Sequence, residues 1–408
     1  MSNKSLLFTA LHYCAMAATS NIASAQAWIR TSAPVDGWTA VASSADGAKL
    51  VAAAGGSSSS GLIYISTNSG NTWAPTLAPS KHWGAVASSA DGTILVATVG
   101  LGLHQVNFSG AIYTSTNSGV TWTSNNVPLV NWLAVTCSTD GRRLAALAAP
   151  SILTSYILTS TNSGVTWSTN NAPDSHGACL AASANGAKLI FSGFPGYIWG
   201  STNPAGPWTK INTSFQYWGY VASLSGGTGV MAARGGAGVN GPIYTSPDWG
   251  GTWISNSIPL SGWSSIAASV DGTRLAVAAG NASTQPYYGF LYTSFDSGLT
   301  WTKATAPQGD WYGIASSADG SKLVAVKLAD GIYVWRSVPS LGISSVNTNL
   351  VLYWPSNAAS SRFVLQANED LNTTNWTDAL MGPTVSNQQY QVVTPPSASN
   401  IFYRLISR

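Results

Sequence analysis

Any catalysis by this chain would have to come from a short inventory of side chains: among 408 residues only 14 are Asp or Glu, 17 are Lys or Arg and 4 are His. Cleavage of a glycosidic bond needs two carboxyl groups flanking it, one to protonate the leaving oxygen and one to attack or to activate water. Asp36 and Asp310 are the pair available for that, with Asp174 and Asp330 as the other acids outside turns. Lyase chemistry needs a base that removes a proton and an acid that returns one, roles open to His176 and Tyr217, with His82 as a further candidate. For ligand contact the candidates are His82, His104, His176, Tyr217, Arg234, Tyr287, Tyr288 and Asp310. The histidines lack the close spacing of metal ligands and read as solvated loop residues, so neither a metal nor a cofactor is expected. No nucleophile elbow, phosphate-binding loop or zinc motif is present.

These side chains are carried by a repeat. The stretch Ile112 to Trp122 recurs along most of the chain: an aliphatic residue (Ile63, Ile112, Ile157, Ile198, Ile243, Leu291) leads to a Trp (Trp73, Trp122, Trp167, Trp208, Trp253, Trp301). A second marker follows each Trp at constant spacing: Trp83, Trp132, Gly177, Trp218, Trp263 and Trp311. A turn follows the marker, as at Asp91-Gly92, Asp140-Gly141, Asn185-Gly186, Gly226-Gly227, Asp271-Gly272 and Asp319-Gly320. A period of about 41 to 49 residues is that of a propeller blade. Alternation and turn residues divide the second repeat into strand a (Trp83 to Ser89), strand b (Ile94 to Val99), strand c (Ala111 to Ser115) and strand d (Val120 to Ser124).

The ends of the array imply a closed ring. The last repeat stops after Ile332-Tyr333-Val334 without its own strand d, while Trp28 stands before Trp38 at the spacing of a strand-d Trp to the next marker. Pairing the orphan strand, Trp28 to Ser32, with the unfinished repeat completes seven blades and removes two exposed edges.

The octets Ser66 to Trp73, Ser115 to Trp122, Ser160 to Trp167, Ser246 to Trp253 and Ser294 to Trp301 resemble Asp-box repeats, with Ser201 to Trp208 a decayed copy. The resemblance covers residues 28 to 336 and implies a fold found in sialidase-like propellers, xyloglucan-cleaving glycosidases, sortilin-type receptors and photosystem II assembly factors. The box is a hairpin device: Asp or Asn bonds backbone amides, Gly takes the positive φ, and Trp covers the hairpin base. A sialidase mechanism is excluded by inventory, because the chain's one Glu, Glu369, lies outside the propeller.

In a four-strand meander the a–b and c–d turns share one rim, which carries the uniform turns and octets. The b–c and d–a connections share the other, where only the b–c length varies, and variable loops on a fixed frame are where binding is built. All the candidate residues map to that rim. Six marker tryptophans (Trp38, Trp83, Trp132, Trp218, Trp263, Trp311) start strand a near it, either as wedges between blades or as a ring of stacking platforms. Cys137 and Cys179 fall at offsets that send them to opposite faces, so they are read as small buried hydrophobes rather than a disulfide.

Lys4, the apolar run Leu6 to Ala18 and Ala23-Ser24-Ala25 read as a secretory signal, residues 1–25, with cleavage after Ala25. A secreted, periplasmic or cell-surface protein follows from that reading, with no transmembrane segment. Charged residues make up 8% and the net charge is +3, with no basic stripe, which excludes a nucleic-acid surface. The propeller is placed at residues 26–337. Residues 338–408 form a separate module whose Leu352 to Pro355, Phe363 to Gln366, Asn375-Trp376 and Phe402 to Leu405 are similar to fibronectin-III-like β-sandwiches. The expected protein is an all-β monomer, a seven-bladed propeller plus a small sandwich. It binds a glycan or protein partner on the b–c/d–a rim; the alternative is a glycoside hydrolase or polysaccharide lyase.

Overall fold

The computed structural model describes residues 8–9, 26–55, 60–100, 109–151, 154–174, 176–235, 239–280 and 289–337, and then 341–346, 349–355, 363–370, 373, 375–379, 382–386, 389–395 and 401–407. The chain divides into two compact units, one of them Trp28–Trp335.

That unit is a seven-bladed β-propeller. Each blade is a four-stranded sheet in chain order a-b-c-d, as in blade 2, where the strands are Trp83–Ser88, Leu95–Val99, Ile112–Ser115 and Thr123–Ser124. Strand a of every blade lies beside strand a of both neighbours, and the series closes from blade 7 onto blade 1. In blade 7 (Trp311–Ser316, Leu323–Lys327, Ile332–Ser337) the fourth strand is Gln26–Arg30 from the other end of the chain. The orphan strand thus begins and ends two residues earlier than its sequence pattern suggests. The Thr31 amide carries the pairing on by donating to Ile332 O at 2.8 Å.

The core sits between blades. Seven buried clusters fill the seven interfaces; in one, Val51, Ala53 and Ile63 of blade 1 meet Trp83, Leu95, Ala97 and Val99 of blade 2. The six marker tryptophans are buried wedges in these layers, which removes them as a stacking platform for ligand. Five of them meet a strand-c tyrosine of their own blade edge-on at the same position, for example Trp83 and Tyr113 with ring centroids 5.1 Å apart. Strand b is small at one recurring position, Ala52, Ala97, Ala146, Ala232 and Ala325, each paired with a strand-a aliphatic (Val41, Val86, Val135, Val221 and Ile314); blade 6 has Val277 there. In blade 4 the wedge is Gly177, and the strand-b position holds Phe191, which is fully buried and fills the space. A Cβ on Gly177 would already lie 3.0 Å from the Phe191 ring, so one bulky residue per layer is accommodated, from either strand.

One rim is stitched by repetition. Amides of the a–b turns donate to the next blade's turn around the circle: Ala45 to Ala90 O, Ala90 to Thr139 O, Thr139 to Ala184 O, Gly226 to Val270 O, Val270 to Ala318 O and Ala318 to Ala45 O, all at 2.7 to 3.0 Å. In five of the turns a Ser hydroxyl donates to an Asp, as Ser89 Oγ does to Asp91 Oδ1 at 2.6 Å, and accepts an amide further on; in blade 4 the acceptor is Asn185. The octets occupy the same rim. Ser115 Oγ donates to Asn117 Oδ1 at 3.0 Å and accepts from the Gly119 amide at 2.9 Å, while Asn117 Oδ1 accepts from the Thr121 amide at 2.9 Å. Left-handed backbone is shared between two residues here, Ser118 (φ 56) and Gly119 (φ 84), rather than resting on Gly alone.

The C-terminal strands form two sheets. One contains Gly342–Val346, Asn349–Pro355, Gln389–Thr394 and Thr384–Ser386; the other contains Phe363–Asn368, Thr377–Asp378 and Phe402–Ser407, edged by Phe8–Thr9. Leu341, Leu352, Trp354, Leu365, Val392 and Tyr403 make their shared core, as in a small β-sandwich.

Candidate functional site

The rim opposite the octets is organised by a second ring. The carbonyl of the residue before each strand a accepts an amide from the end of strand b in the same blade. The acceptors are Gly37, His82, Asn131, His176, Tyr217, Gly262 and Asp310, and the donors Gly55, Gly100, Ala149, Phe194, Gly235, Gly280 and Leu328, at 2.8 to 3.1 Å. Strand a then carries a bulge just after its first residue in every blade, so these ring residues turn away from the regular pleat. Four candidates, His82, His176, Tyr217 and Asp310, occupy ring positions of blades 2, 4, 5 and 7. His104, Tyr287 and Tyr288 lie outside the described residues.

The carboxylates of Asp36 and Asp310 belong to adjacent blades but are used differently. Asp36 accepts from the Gly37 amide at 2.7 Å and lies close enough to Tyr64 for its charge to raise that phenol's pKa, after the larger effect of burial. Asp310 faces the other way: a Cβ placed on Gly280 of blade 6 would be 2.8 Å from Asp310 Oδ1. Asp330 is engaged in closing the ring, with Arg30 Nε at 3.1 Å and Lys327 Nζ at 2.9 Å. Arg234 is the last residue of strand b in blade 5, paired opposite Trp218, and not a loop residue as its sequence position suggests. Its buried Nε has no hydrogen-bond partner among the described residues. The described residues contain no group of three or more His, Cys, Asp or Glu able to hold a metal. Cys137 and Cys179 are free and half-buried in strand a; burial pushes the Cys137 thiol up to about 12 and raises Cys179 as well.

His176 and Tyr217 border one hairpin of blade 4, His176 through its carbonyl oxygen and Tyr217 through its ring. Strands b (Leu189–Gly193) and c (Gly196–Ser201) of this blade are joined by Phe194-Pro195 alone, through a cis peptide bond. The Phe194 amide donates to His176 O at 2.8 Å, and the Phe194 ring meets Tyr217 edge-on at 5.2 Å. His176 Nδ1 lies 3.7 Å from Asp174 Oδ1. The other oxygen of that carboxylate packs on the hairpin, where a Cβ on Gly193 or Gly196 would approach it to 3.2 or 2.8 Å. Strand d here runs Thr209–Gln216, against two residues in blades 1, 2, 5 and 6, and reaches the ring rim, where Gly196 pairs with Gln216. It delivers Phe215 against Tyr197 at 5.3 Å, and Lys210 sits over Tyr197 with Nζ 3.7 Å from the ring centre. Phe215 is 58% exposed and Tyr217 43%.

Phe194, Tyr197, Lys210 and Phe215 are absent from the sequence-derived candidates. A signal for them existed: Gly177 for Trp, the short Phe194-Pro195 connection and the decayed octet Ser201 to Trp208 all depart from the repeat in one blade.

No protein-family model matches the chain. No curated protein matches it either. Among solved structures it is similar to YCF48 bound to D1 peptide, with 14% identity, a TM-score of 0.55, and 77% of this chain and 97% of that one covered. It is similar also to the GH74 xyloglucanase from Xanthomonas campestris, with 14% identity, a TM-score of 0.58, and 81% of this chain but only 60% of that one covered. The GH74 enzyme of Niastella koreensis shows 13% identity, a TM-score of 0.57, and coverage of 93% and 73%. At these identities the likeness establishes the β-propeller fold, which peptide-bound and glycan-cleaving proteins share.

Proposed function

We propose that this protein is an exported, non-catalytic binding module that holds a glycan or protein partner on the rim built by its d–a and b–c connections. The observation that carries this reading is the arrangement of the rim acids. Asp36 is turned to its own blade, Asp310 to blade 6 and Asp330 to the ring closure, so two-carboxylate hydrolysis finds no facing pair among them. Exposed aromatic surface on the same rim is what a binding face needs. The octets act in this reading as Asp-box turns of the scaffold. Residues 1–25 serve as the export signal, and the C-terminal sandwich, of fibronectin-III type, as a spacer or attachment unit.

A second reading, a glycoside-active enzyme, draws on His176 and Tyr217 bordering the same Phe194 hairpin, His176 by its carbonyl and Tyr217 by its ring, as the residue types that could remove and return a proton in a lyase. One experiment separates the two: a glycan and peptide array probed with the mature protein, run beside a reducing-sugar and unsaturated-product release assay. Binding without release supports the module. Release that is lost in His176→Ala or Tyr217→Phe supports the lyase, and release lost in Asp310→Asn supports the hydrolase.

A further inference from the structure

Most blades share one plan, and a feature present in every blade cannot mark a single ligand. Blade 4 departs from the plan at four places: its wedge, its b–c turn, its octet and the length of strand d. The interior departure compensates itself through Phe191 and ends there. The departures at the rim do not: they leave Phe215 and Tyr217 exposed beside one hairpin, the Phe215 ring against Tyr197 and the Tyr217 ring against Phe194, the residues that flank Pro195-Gly196. Each ring is held edge-on from behind, Phe215 by Tyr197 and Tyr217 by Phe194, which fixes its orientation at little further entropic cost on binding.

Resting on the reading of this rim as the binding face, we propose that the blade-4 ledge is a subsite for a neutral polysaccharide chain, stacked on Phe215 and Tyr217 and hydrogen-bonded through its hydroxyls to Asp174 and His176. The faces of pyranose rings present C–H groups, which the negative face of an aromatic ring attracts. The polar groups beside the ledge, a carboxylate, an imidazole and a phenol, are donors and acceptors suited to hydroxyls. The two formal charges beside the ledge, the Asp174 carboxylate and the Lys210 ammonium, are opposite in sign and sum to zero, Asp174 lying 3.7 Å from His176 and Lys210 lying over the Tyr197 ring, so no net charge favours an ionic ligand. A peptide adding as a strand along the outer edge of Thr209–Gln216 is disfavoured, because two of its carbonyls are already taken. Ile211 O accepts from Trp253 Nε1 at 2.9 Å and Ser214 O from Trp218 Nε1 at 3.2 Å.

The test is affinity electrophoresis of the full mature chain through gels containing hydroxyethyl cellulose, galactomannan or arabinoxylan, with polygalacturonate as the anionic comparison. Retardation is expected in at least one neutral gel and not in polygalacturonate. It should weaken by about tenfold or more in Phe215→Ala/Tyr217→Ala and persist in Tyr217→Phe, which keeps the ring. Both sites are exposed, so unchanged melting of the variants separates lost binding from lost folding. Retardation that survives the double alanine variant but fails in His82→Ala/Asp310→Ala overturns the ledge and leaves the rim reading standing. Retardation untouched by either pair overturns both. If no neutral polymer retards the protein, the sugar occupant is overturned; peptides selected from a display library that then need Phe215 and Tyr217 would assign the ledge to a protein partner instead.

Discussion

At the scale of single residues the chain's chemistry is mostly spent on its own turns. Asp91 and Asp319 are held at about 2, first by the hydroxyls of Ser89 and Ser317 and then by further hydrogen bonds from Thr93 and Ser321. An unfolded chain protonates these groups near their ordinary value of 3.8, so it binds protons in the window between 3.8 and about 2 that the folded chain refuses. Their stabilising effect is therefore complete above that window and is lost as pH falls through it. Asp91→Asn keeps the acceptor, as Asn185 does in blade 4, where it accepts from Ser183 Oγ at 2.8 Å. The variant should melt within a degree or two of wild type near neutral pH and show a shallower fall in Tm below about pH 4; an identical acid slope in the two proteins would refute the assignment. A second residue-level test concerns the filled wedge. Phe191→Ala should cost about 3–5 kcal/mol in denaturant unfolding, and adding Gly177→Trp to it should recover part of that loss, whereas Gly177→Trp alone overpacks the layer.

At the scale of the element, the octet is a self-contained hairpin whose side chains replace missing backbone partners. The choice between Asn and Asp changes only which group donates. Asn117 Nδ2 donates to Thr121 Oγ1 at 2.8 Å, whereas Thr252 Oγ1 donates to Asp248 Oδ2 at 2.9 Å. Ser115→Ala removes both the donor to Asn117 and the acceptor of the Gly119 amide, and an unfolding titration should show a loss of about 1–2 kcal/mol. The strand boundaries shift by a residue or more from the sequence pattern for the same reason. Val120 and Trp122 look like strand d by alternation, but the side-chain network holds them in the turn, and pairing starts only at Thr123. Blade 4 lacks an intact octet, with Ser201 Oγ bonded to Pro207 O at 2.7 Å, and its strand d, Thr209–Gln216, is the longest among the blades.

At the scale of the whole molecule, stability depends on closing the ring with the two ends of the propeller segment. Trp28 is buried against Trp311, with centroids 6.4 Å apart, and Arg30 Nη2 donates to Asp330 O at 2.9 Å while the Tyr333 hydroxyl donates to Asp330 Oδ2 at 3.0 Å. Burial works to raise the Asp330 pKa, but the hydrogen bonds from Lys327, Arg30 and Tyr333 outweigh it and leave the pKa below the usual range. Trp28→Ala should lower unfolding free energy by about 3–5 kcal/mol. Removing residues 26–32 should leave the Ile332–Ser337 strand as an open edge and produce concentration-dependent association in size-exclusion chromatography. A truncated protein that stays monodisperse and melts like the full chain would show that closure does not need this strand.

The amino-acid sequence by itself determined the architecture. The repeat of Trp, turn and octet is local information, and the missing last strand and the orphan Trp28 are complementary defects that only a seven-membered ring repairs. It also showed that one rim is built from recurring turns, because the acids of the turns and octets lie in a repeated pattern. Only the tertiary structure decided where the side chains of the other rim lie. Whether Asp36 meets Asp310, and whether Tyr217 stands in the open, depends on how side chains from successive blades turn across a gap that no repeat spacing encodes. Phe215 is the clearest case: in the sequence it is one apolar residue between two markers, and only the structure shows it exposed with Tyr197 against its ring.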